Sequence, residues 1–87
     1  MYKVVYKKQV IKFLQSQDVS IRNKILNFFD TIKLDIKKIE KYDVKPLKGY
    51  KDKYRLRVSK YRVIFSIEND LLKIEVIKAS SRGDVYK

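Results

Sequence analysis

The sequence contains neither cysteine nor histidine. Without cysteine the chain can form no disulfide and offer no thiolate, so an oxidising compartment gains no support. Imidazole and thiolate are the ligands that zinc prefers, and their absence argues against a zinc site. The ten acidic residues are scattered, without the converging carboxylates that a magnesium site needs. We therefore expect no cofactor.

Glycine and proline are also scarce, with two glycines and one proline among 87 residues. This scarcity argues against a long disordered linker. The length suits one domain, predicted to span residues 1–87, with a single modest core. No apolar run is long enough to cross a bilayer, and no signal segment is visible at the N-terminus. We expect a soluble cytoplasmic protein with no membrane partner.

Positive charge is abundant, since 22 lysines and arginines against 10 acidic residues give a formal net charge of +12. Such a charge predicts an anionic partner, either nucleic acid or an acidic protein, and association that weakens with salt. Arginine offers a planar fork that can bind a phosphate through two hydrogen bonds. Four of the arginines, together with Tyr86 near the end of the sequence, therefore indicate a phosphate-handling site. The alternative is an ordinary solvated face of a sheet. The arginines concerned are Arg55, Arg57, Arg62 and Arg82.

Hydrophobic periodicity predicts a first strand over residues 2–6, followed by two helices. Asp18 or Ser20 is expected to cap the second helix. The segment 35–48 is lysine-rich and contains Pro46, so it is predicted to be a connector with room for a helical turn. The apolar stripe of the second helix has spacings of four, three and four, and consists of Ile21, Ile25, Phe28 and Ile32.

Three further strands are predicted after Gly49, each with apolar and polar side chains in alternation. A tight turn at residues 59–60 joins the first two, and the turn sequence at residues 68–70 precedes the last, which runs from about Leu72 to Ala79. The prediction is an α+β fold of order β-α-α-β-β-β. Its helical hairpin packs on one face of an antiparallel sheet.

The same alternation predicts which side chains share the face away from the helices. Ile64 and Ile77 are expected to form a partly apolar floor there, with Asp52 as the acidic residue near the basic ones. Tyr54 and Tyr61 are expected to be structural, although both could stack on RNA. The basic residues of this face are Arg55, Arg57 and Arg62.

Two segments resemble the RelE/ParE superfamily of toxins: PLKGYKDKYRLRVSKYRVIFSI, from Pro46 to Ile67, and ASSRGDVY, from Ala79 to Tyr86. In that superfamily RelE toxins cut messenger RNA in the ribosomal A site, and ParE relatives poison DNA gyrase. The resemblance implies a RelE-like toxin of a type II toxin–antitoxin system. It also implies a metal-independent endoribonuclease that inhibits translation, with a cognate antitoxin, the ribosome and messenger RNA as partners.

The resemblance also implies which residues form the active site. Arg55 and Arg57 match the paired basic residues of the second strand, where RelE has lysines, and Arg62 matches the arginine that opens the third. Arg82 and Tyr86 match the C-terminal arginine and tyrosine. The implied catalytic set is therefore Arg55, Arg57, Arg62, Arg82 and Tyr86. Nearby lysines are expected to bind RNA: Lys48, Lys51, Lys53 and Lys60.

Two other functions fit the sequence. One is a ParE-like gyrase inhibitor, which binds its target without catalysis and would stay toxic without the arginines. The other is a non-catalytic basic RNA-binding module, which would bind RNA and spare growing cells.

Overall fold

The computed structural model describes residues 1–81, which form a mixed five-stranded sheet with helices packed on it. The predicted α+β class is confirmed. None of the helices in this part of the chain has the length and apolarity needed to span a membrane. In chain order the elements are β1 (Lys3–Tyr6), α1 (Lys8–Ser16), α2 (Val19–Leu34), a 3₁₀ helix (Ile36–Lys41), β2 (Val44–Pro46), β3 (Lys53–Val58), β4 (Tyr61–Glu68), a second 3₁₀ helix (Asn69–Leu71) and β5 (Lys73–Ser81).

Helix α2 begins where the sequence predicts it. The side chain of Asp18 accepts a hydrogen bond from the Ile21 N–H at 2.9 Å, which satisfies one of the free donors of the first turn. Most of the predicted stripe is buried, and Phe29 is buried beside it. The helix therefore buries a face broader than a single stripe of residues.

Three phenylalanine rings form the centre of the core. Phe28 and Phe29 of α2 contact Phe65 of β4 with ring centroids 5.6 and 5.2 Å apart, in edge-to-face geometry. The rings of Phe28 and Phe29 are 4.8 Å apart. All three are at most 1% exposed. Aromatic pairs of this geometry stabilise a core beyond the area that they bury.

A glutamine from α1 fixes the last strand. The Gln9 side chain donates from Nε2 to the Ala79 carbonyl at 2.8 Å and accepts at Oε1 from the Ala79 N–H at 2.9 Å. The amide thus satisfies both backbone groups of one residue near the end of β5. It ties α1 to the strand that leads towards Arg82.

The strand order is β1-β5-β4-β3-β2, and two details differ from the prediction. Strand β1 pairs with β5 in parallel, whereas the remaining pairs are antiparallel. The predicted connector contains an additional strand, β2, at the edge next to β3. Three residues are too few to show alternation, and Pro46 is tolerated because an edge strand does not need every N–H for pairing.

Strand β5 also departs from simple alternation. Ile64 pairs with Lys78, but the next residue, Phe65, pairs with Val76, so Ile77 is the extra residue of a bulge. The strand starts at Lys73, one residue after the predicted start. Leu72 lies before β5 in a left-handed conformation (φ 48°) and is half exposed, because the 3₁₀ helix ends there.

Tyr6 of β1 is a partly buried ionisable group on the helix side of the sheet. Its ring contacts Phe29 edge-to-face with centroids 5.9 Å apart. Burial, assisted by the negative charge of Asp30, raises the pKa of Tyr6 to about 12. The neutral phenol is therefore favoured in the folded protein.

Candidate functional site

Arg57 and Arg62 lie opposite each other on β3 and β4. They are direct partners in the antiparallel register. Residues paired in this way project from the same face of a sheet, with Cβ atoms about 4.5–5.5 Å apart. Arg57 is exposed and Arg62 is partly exposed. The pairing places two positively charged residues at neighbouring positions of this face, which suits an anionic ligand.

Arg55 lies two residues before Arg57 on the same face, but its surroundings differ. Its side chain is mostly buried, and Nη2 donates to Oδ1 of Asp43 at 3.2 Å. The backbone carbonyl of Asp43 accepts from the Arg57 N–H at 2.9 Å. Asp43 rather than the expected Asp52 is therefore the acidic partner of Arg55. Asp43 lies directly before the unpredicted strand β2, and the pairing of β2 with β3 places it beside Arg55.

A groove of about 600 Å³ lies beside Arg55. Ile64, which is 5% exposed, and Ile77 form its apolar floor, as the alternation predicts. The exposed ring of Tyr50 contributes an aromatic wall, next to Pro46. Around these apolar groups stand four basic side chains: Lys45, Lys48, Lys53 and Lys78.

Four strands contribute one residue each to a single row across this face. Lys45 of β2 is opposite Arg55, which is opposite Ile64, which is opposite Lys78 of β5. Sequence reasoning missed both lysines. Lys45 was missed because β2 was not predicted, and Lys78 because the bulge at Ile77 changes which residues of β5 face the groove.

The other predicted lysines are spread more widely. Lys48 and Lys53 line the groove, whereas Lys51 is exposed in the loop between β2 and β3. The Nζ atom of Lys60, in the turn between β3 and β4, lies 5.5 Å from the ring centroid of Tyr61. Two of the nine predicted site residues, Arg82 and Tyr86, lie outside the described residues.

The tyrosines that alternate with the arginines belong to the helix side of the sheet. The ring of Tyr54 stacks on Phe65 with centroids 5.7 Å apart. Tyr61 contacts Phe13 of α1 edge-to-face at 5.5 Å. Their predicted structural role is confirmed. Within the described residues 1–81, an exposed aromatic group does border the arginine side, namely Tyr50, which sequence reasoning did not single out; its position directly after Gly49 in a lysine-rich loop was the available signal.

The chemistry of the described face is that of anion binding. Within residues 1–81 no group of three or more acidic residues is arranged to hold a metal ion. The face offers two guanidinium groups with exposed surface, those of Arg57 and Arg62, each of which can bind phosphate oxygens with two hydrogen bonds, and a third positive charge in Arg55, which is paired with Asp43. It also offers an apolar and aromatic groove next to them. This combination suits a nucleic acid, which presents phosphates and planar bases together.

Comparison with known proteins gives relatives that cover almost the whole chain. A protein of Methanocaldococcus jannaschii named as the toxin RelE1 is 34% identical over 86 residues, which is 99% of this chain and 96% of that protein. No protein-family model matches the chain.

Solved structures show the same fold. The archaeal RelE–RelB complex from Pyrococcus horikoshii OT3 contains a chain that is 36% identical, with a TM-score of 0.82 and coverage of 95% of this chain and 97% of that one. The RelB–RelE antitoxin–toxin complex from Methanococcus jannaschii gives 25% identity and a TM-score of 0.78, covering 95% of both chains. The isolated RelE toxin of E. coli is 19% identical, with a TM-score of 0.75, and covers 99% of this chain and 92% of that one.

Proposed function

This chain belongs to the RelE family of toxins, and we propose that it is a ribosome-dependent endoribonuclease that cleaves messenger RNA in the A site. The observation that carries the proposal is the opposed pair Arg57 and Arg62, with Arg55 on the same face one row away. Three guanidinium groups directed from one face suit a substrate whose negative charge increases during the reaction.

In the proposed reaction the 2′-oxygen of one nucleotide attacks the adjacent phosphorus in line. The bond from phosphorus to the 5′-oxygen breaks, which leaves a 2′,3′-cyclic phosphate and a 5′-hydroxyl. One proton leaves the attacking hydroxyl and one proton reaches the departing 5′-oxygen. The enzyme must align these atoms, accept and supply the protons, and stabilise the extra charge of the phosphorane.

The arginines divide these tasks in our proposal. Arg62 and Arg57 stabilise the phosphorane, because their exposure lets them reach the phosphate. Arg55 binds the RNA backbone from a fixed position beside Asp43. Arg82 serves the leaving oxygen. The chain has no histidine, and arginine, with a pKa above about 12, is a poor base; Tyr86 is therefore the candidate for removing the hydroxyl proton.

The family assignment also supports a protein partner. The structures from Pyrococcus horikoshii and Methanococcus jannaschii are complexes of a RelE toxin with RelB. We propose that a cognate antitoxin holds this chain inactive in the cytoplasm, and that charge contributes to its binding because the toxin carries a net charge of +12. That contribution should weaken as the salt concentration rises.

The test is cleavage of an end-labelled messenger RNA on programmed ribosomes, with free RNA in parallel. We expect cuts in the A-site codon that leave 2′,3′-cyclic phosphate ends. Single-turnover rates should fall about 10²- to 10³-fold in Arg62→Ala, as for other charge-stabilising donors, and Arg82→Ala should be impaired too. Lys24 is an exposed residue of α2, on the helix side of the sheet. Lys24→Ala removes one positive charge there and serves as the control.

The outcomes separate the candidate functions. Intact RNA, together with a folded protein that still arrests growth, would replace the nuclease proposal with gyrase inhibition. Intact RNA with no growth arrest would leave an RNA-binding module. Equal cleavage by wild type, Arg62→Ala and Arg82→Ala would retain a nuclease but remove Arg62 and Arg82 from its mechanism.

A further inference from the structure

The groove beside Arg55 contains more apolar surface than phosphate binding requires. Its floor is Ile64 and Ile77, and the ring of Tyr50 stands at its side with 55% of the residue exposed. Guanidinium and ammonium groups alone would bind the phosphates of an RNA strand. An apolar floor and an exposed aromatic ring instead match the faces of a nucleobase, which single-strand binders commonly stack on aromatic side chains.

Tyr50 is held in place by the loop that carries it. The Leu47 N–H donates to the Lys53 carbonyl at 2.9 Å and closes the loop, and the Tyr50 N–H donates to the Leu47 carbonyl at 3.2 Å. The Lys53 Nζ atom lies 4.9 Å from the centroid of the Tyr50 ring. The backbone that carries the ring is therefore ordered before any ligand arrives, which lowers the entropy cost of stacking.

The groove lies at a useful distance from the opposed arginines. Arg55 and Ile64 form the row next to that of Arg57 and Arg62, two residues along each strand. Two residues of a strand span about 7 Å, a step that one nucleotide of an extended single strand can cover. A phosphate at Arg57 and Arg62 would thus leave a neighbouring base over the groove.

We propose that this groove binds an unpaired nucleobase of the RNA next to the scissile phosphate. The base stacks on Tyr50 and lies over Ile64 and Ile77, while Lys48 contacts a backbone phosphate. The proposal rests on the function proposed above, since it assigns a base-binding subsite to the same RNA. An acidic peptide is the competing occupant. The base is favoured because the groove joins a planar aromatic wall to the row of Arg55.

The test is equilibrium binding of a short single-stranded RNA that carries the fluorescent base 2-aminopurine. The 2′-hydroxyl groups are replaced by 2′-deoxy positions at the cleavage site, so that no cleavage occurs. Stacking on Tyr50 should quench the fluorescence. Tyr50→Ala should abolish the quenching and weaken binding about 5- to 150-fold, the range found for one stacked base. Tyr50→Phe should restore both because it keeps the ring.

Salt dependence separates stacking from charge. Tyr50→Ala should lower affinity by the same factor at every salt concentration, whereas Lys48→Ala should reduce the slope of log affinity against log salt by about 0.7, one phosphate contact on a single strand. Leu71→Ala is the matched control. It removes another exposed apolar side chain, in the second 3₁₀ helix before β5, and the variant should bind RNA as wild type does.

Each outcome decides the proposal. Unchanged quenching and affinity in Tyr50→Ala would overturn the base-binding groove. The proposal would also be overturned if a glutamate- and leucine-rich peptide needed Tyr50 for its binding while RNA did not. This experiment needs no cleavage: a protein that binds the RNA through Tyr50 but leaves ribosomal messenger RNA intact would retain the groove and lose the nuclease proposal. If wild type and Tyr50→Ala instead cleaved messenger RNA equally, the nuclease proposal would stand and the groove proposal would be lost.

Discussion

The carboxylate of Asp43 and the guanidinium of Arg55 form an ion pair of 3.2 Å in which the arginine is 8% exposed and the aspartate side chain is half exposed. The same aspartate accepts the Arg57 N–H at its backbone carbonyl. One residue directly before the edge strand β2 therefore contacts both arginines of β3. The position of the arginines depends on this edge strand as well as on β3 itself.

We expect Asp43→Ala to lower the free energy of unfolding by about 1–3 kcal/mol, because it leaves the buried Arg55 charge without its acceptor. Asp43→Asn, which retains an acceptor oxygen, should cost less. Urea denaturation measures both, with Glu40→Ala as a control that removes an exposed acidic residue from the neighbouring 3₁₀ helix. A loss no larger than that of Glu40→Ala, expected to be within about 0.5 kcal/mol, would mean that the pair contributes little.

Replacing Arg57 should affect stability and activity in opposite directions. Arg57→Thr removes a like charge opposite Arg62 and introduces a residue that favours strands, so the free energy of unfolding should rise by about 0.2–1 kcal/mol at low salt. High salt should shrink this gain because it screens exposed charges. Cleavage should fall. Urea denaturation at two salt concentrations, with the ribosome assay, tests the pair; a less stable Arg57→Thr protein would contradict the repulsion.

Gln9→Leu should destabilise the protein by about 1–3 kcal/mol, since the N–H and carbonyl of buried Ala79 both lose their partner. Gln15→Leu makes the same change at an exposed position of α1. Hydrogen exchange of the Ala79 amide is the sensitive measurement, because it reports opening at that one N–H. Equal exchange in the two variants would show that the glutamine contact does not hold the strand.

The stability of the protein should fall with increasing pH through the titration of Tyr6. Its pKa of about 12 in the folded state lies above the unfolded value of about 10, so the unfolded state loses its proton first. The contribution of the neutral Tyr6 phenol to the free energy of unfolding is complete below pH 10 and is lost as the pH rises to about 12. Tyr6→Phe should remove this part of the slope. The measurement is the urea midpoint of both proteins at several pH values across this range. Parallel curves of midpoint against pH would mean that Tyr6 contributes nothing.

The sequence predicted best those features that follow from strict alternation. Arg55, Arg57 and Arg62 share a face because β3 and the start of β4 contain no irregularity, and Ile64 follows in the same register. The prediction failed where one residue changes the register. The bulge at Ile77 shifts the end of β5, and it brings Lys78 rather than Ile77 opposite Ile64.

Contacts between distant segments were harder to predict. Asp43 precedes Arg55 by twelve residues, and its ion pair depends on β2, a strand of three residues with no hydrophobic pattern. Gln9 and Ala79 are 70 residues apart, and nothing in the spacing of either indicates that they pair. Tyr50 became a candidate only when its loop was seen to border the groove.

The parallel pairing of β1 with β5 has a consequence for how the toxin matures. Strand β5 lies between β1 and β4 and comes after both in the chain. As the ribosome synthesises the chain from its N-terminus, β1 has no neighbour to pair with until β5 has emerged. Long-range pairing of this kind is slow and exposes unpaired edges meanwhile. The nascent chain therefore cannot complete its sheet until β5 has emerged, which delays the appearance of a folded toxin beside the ribosome that produces it.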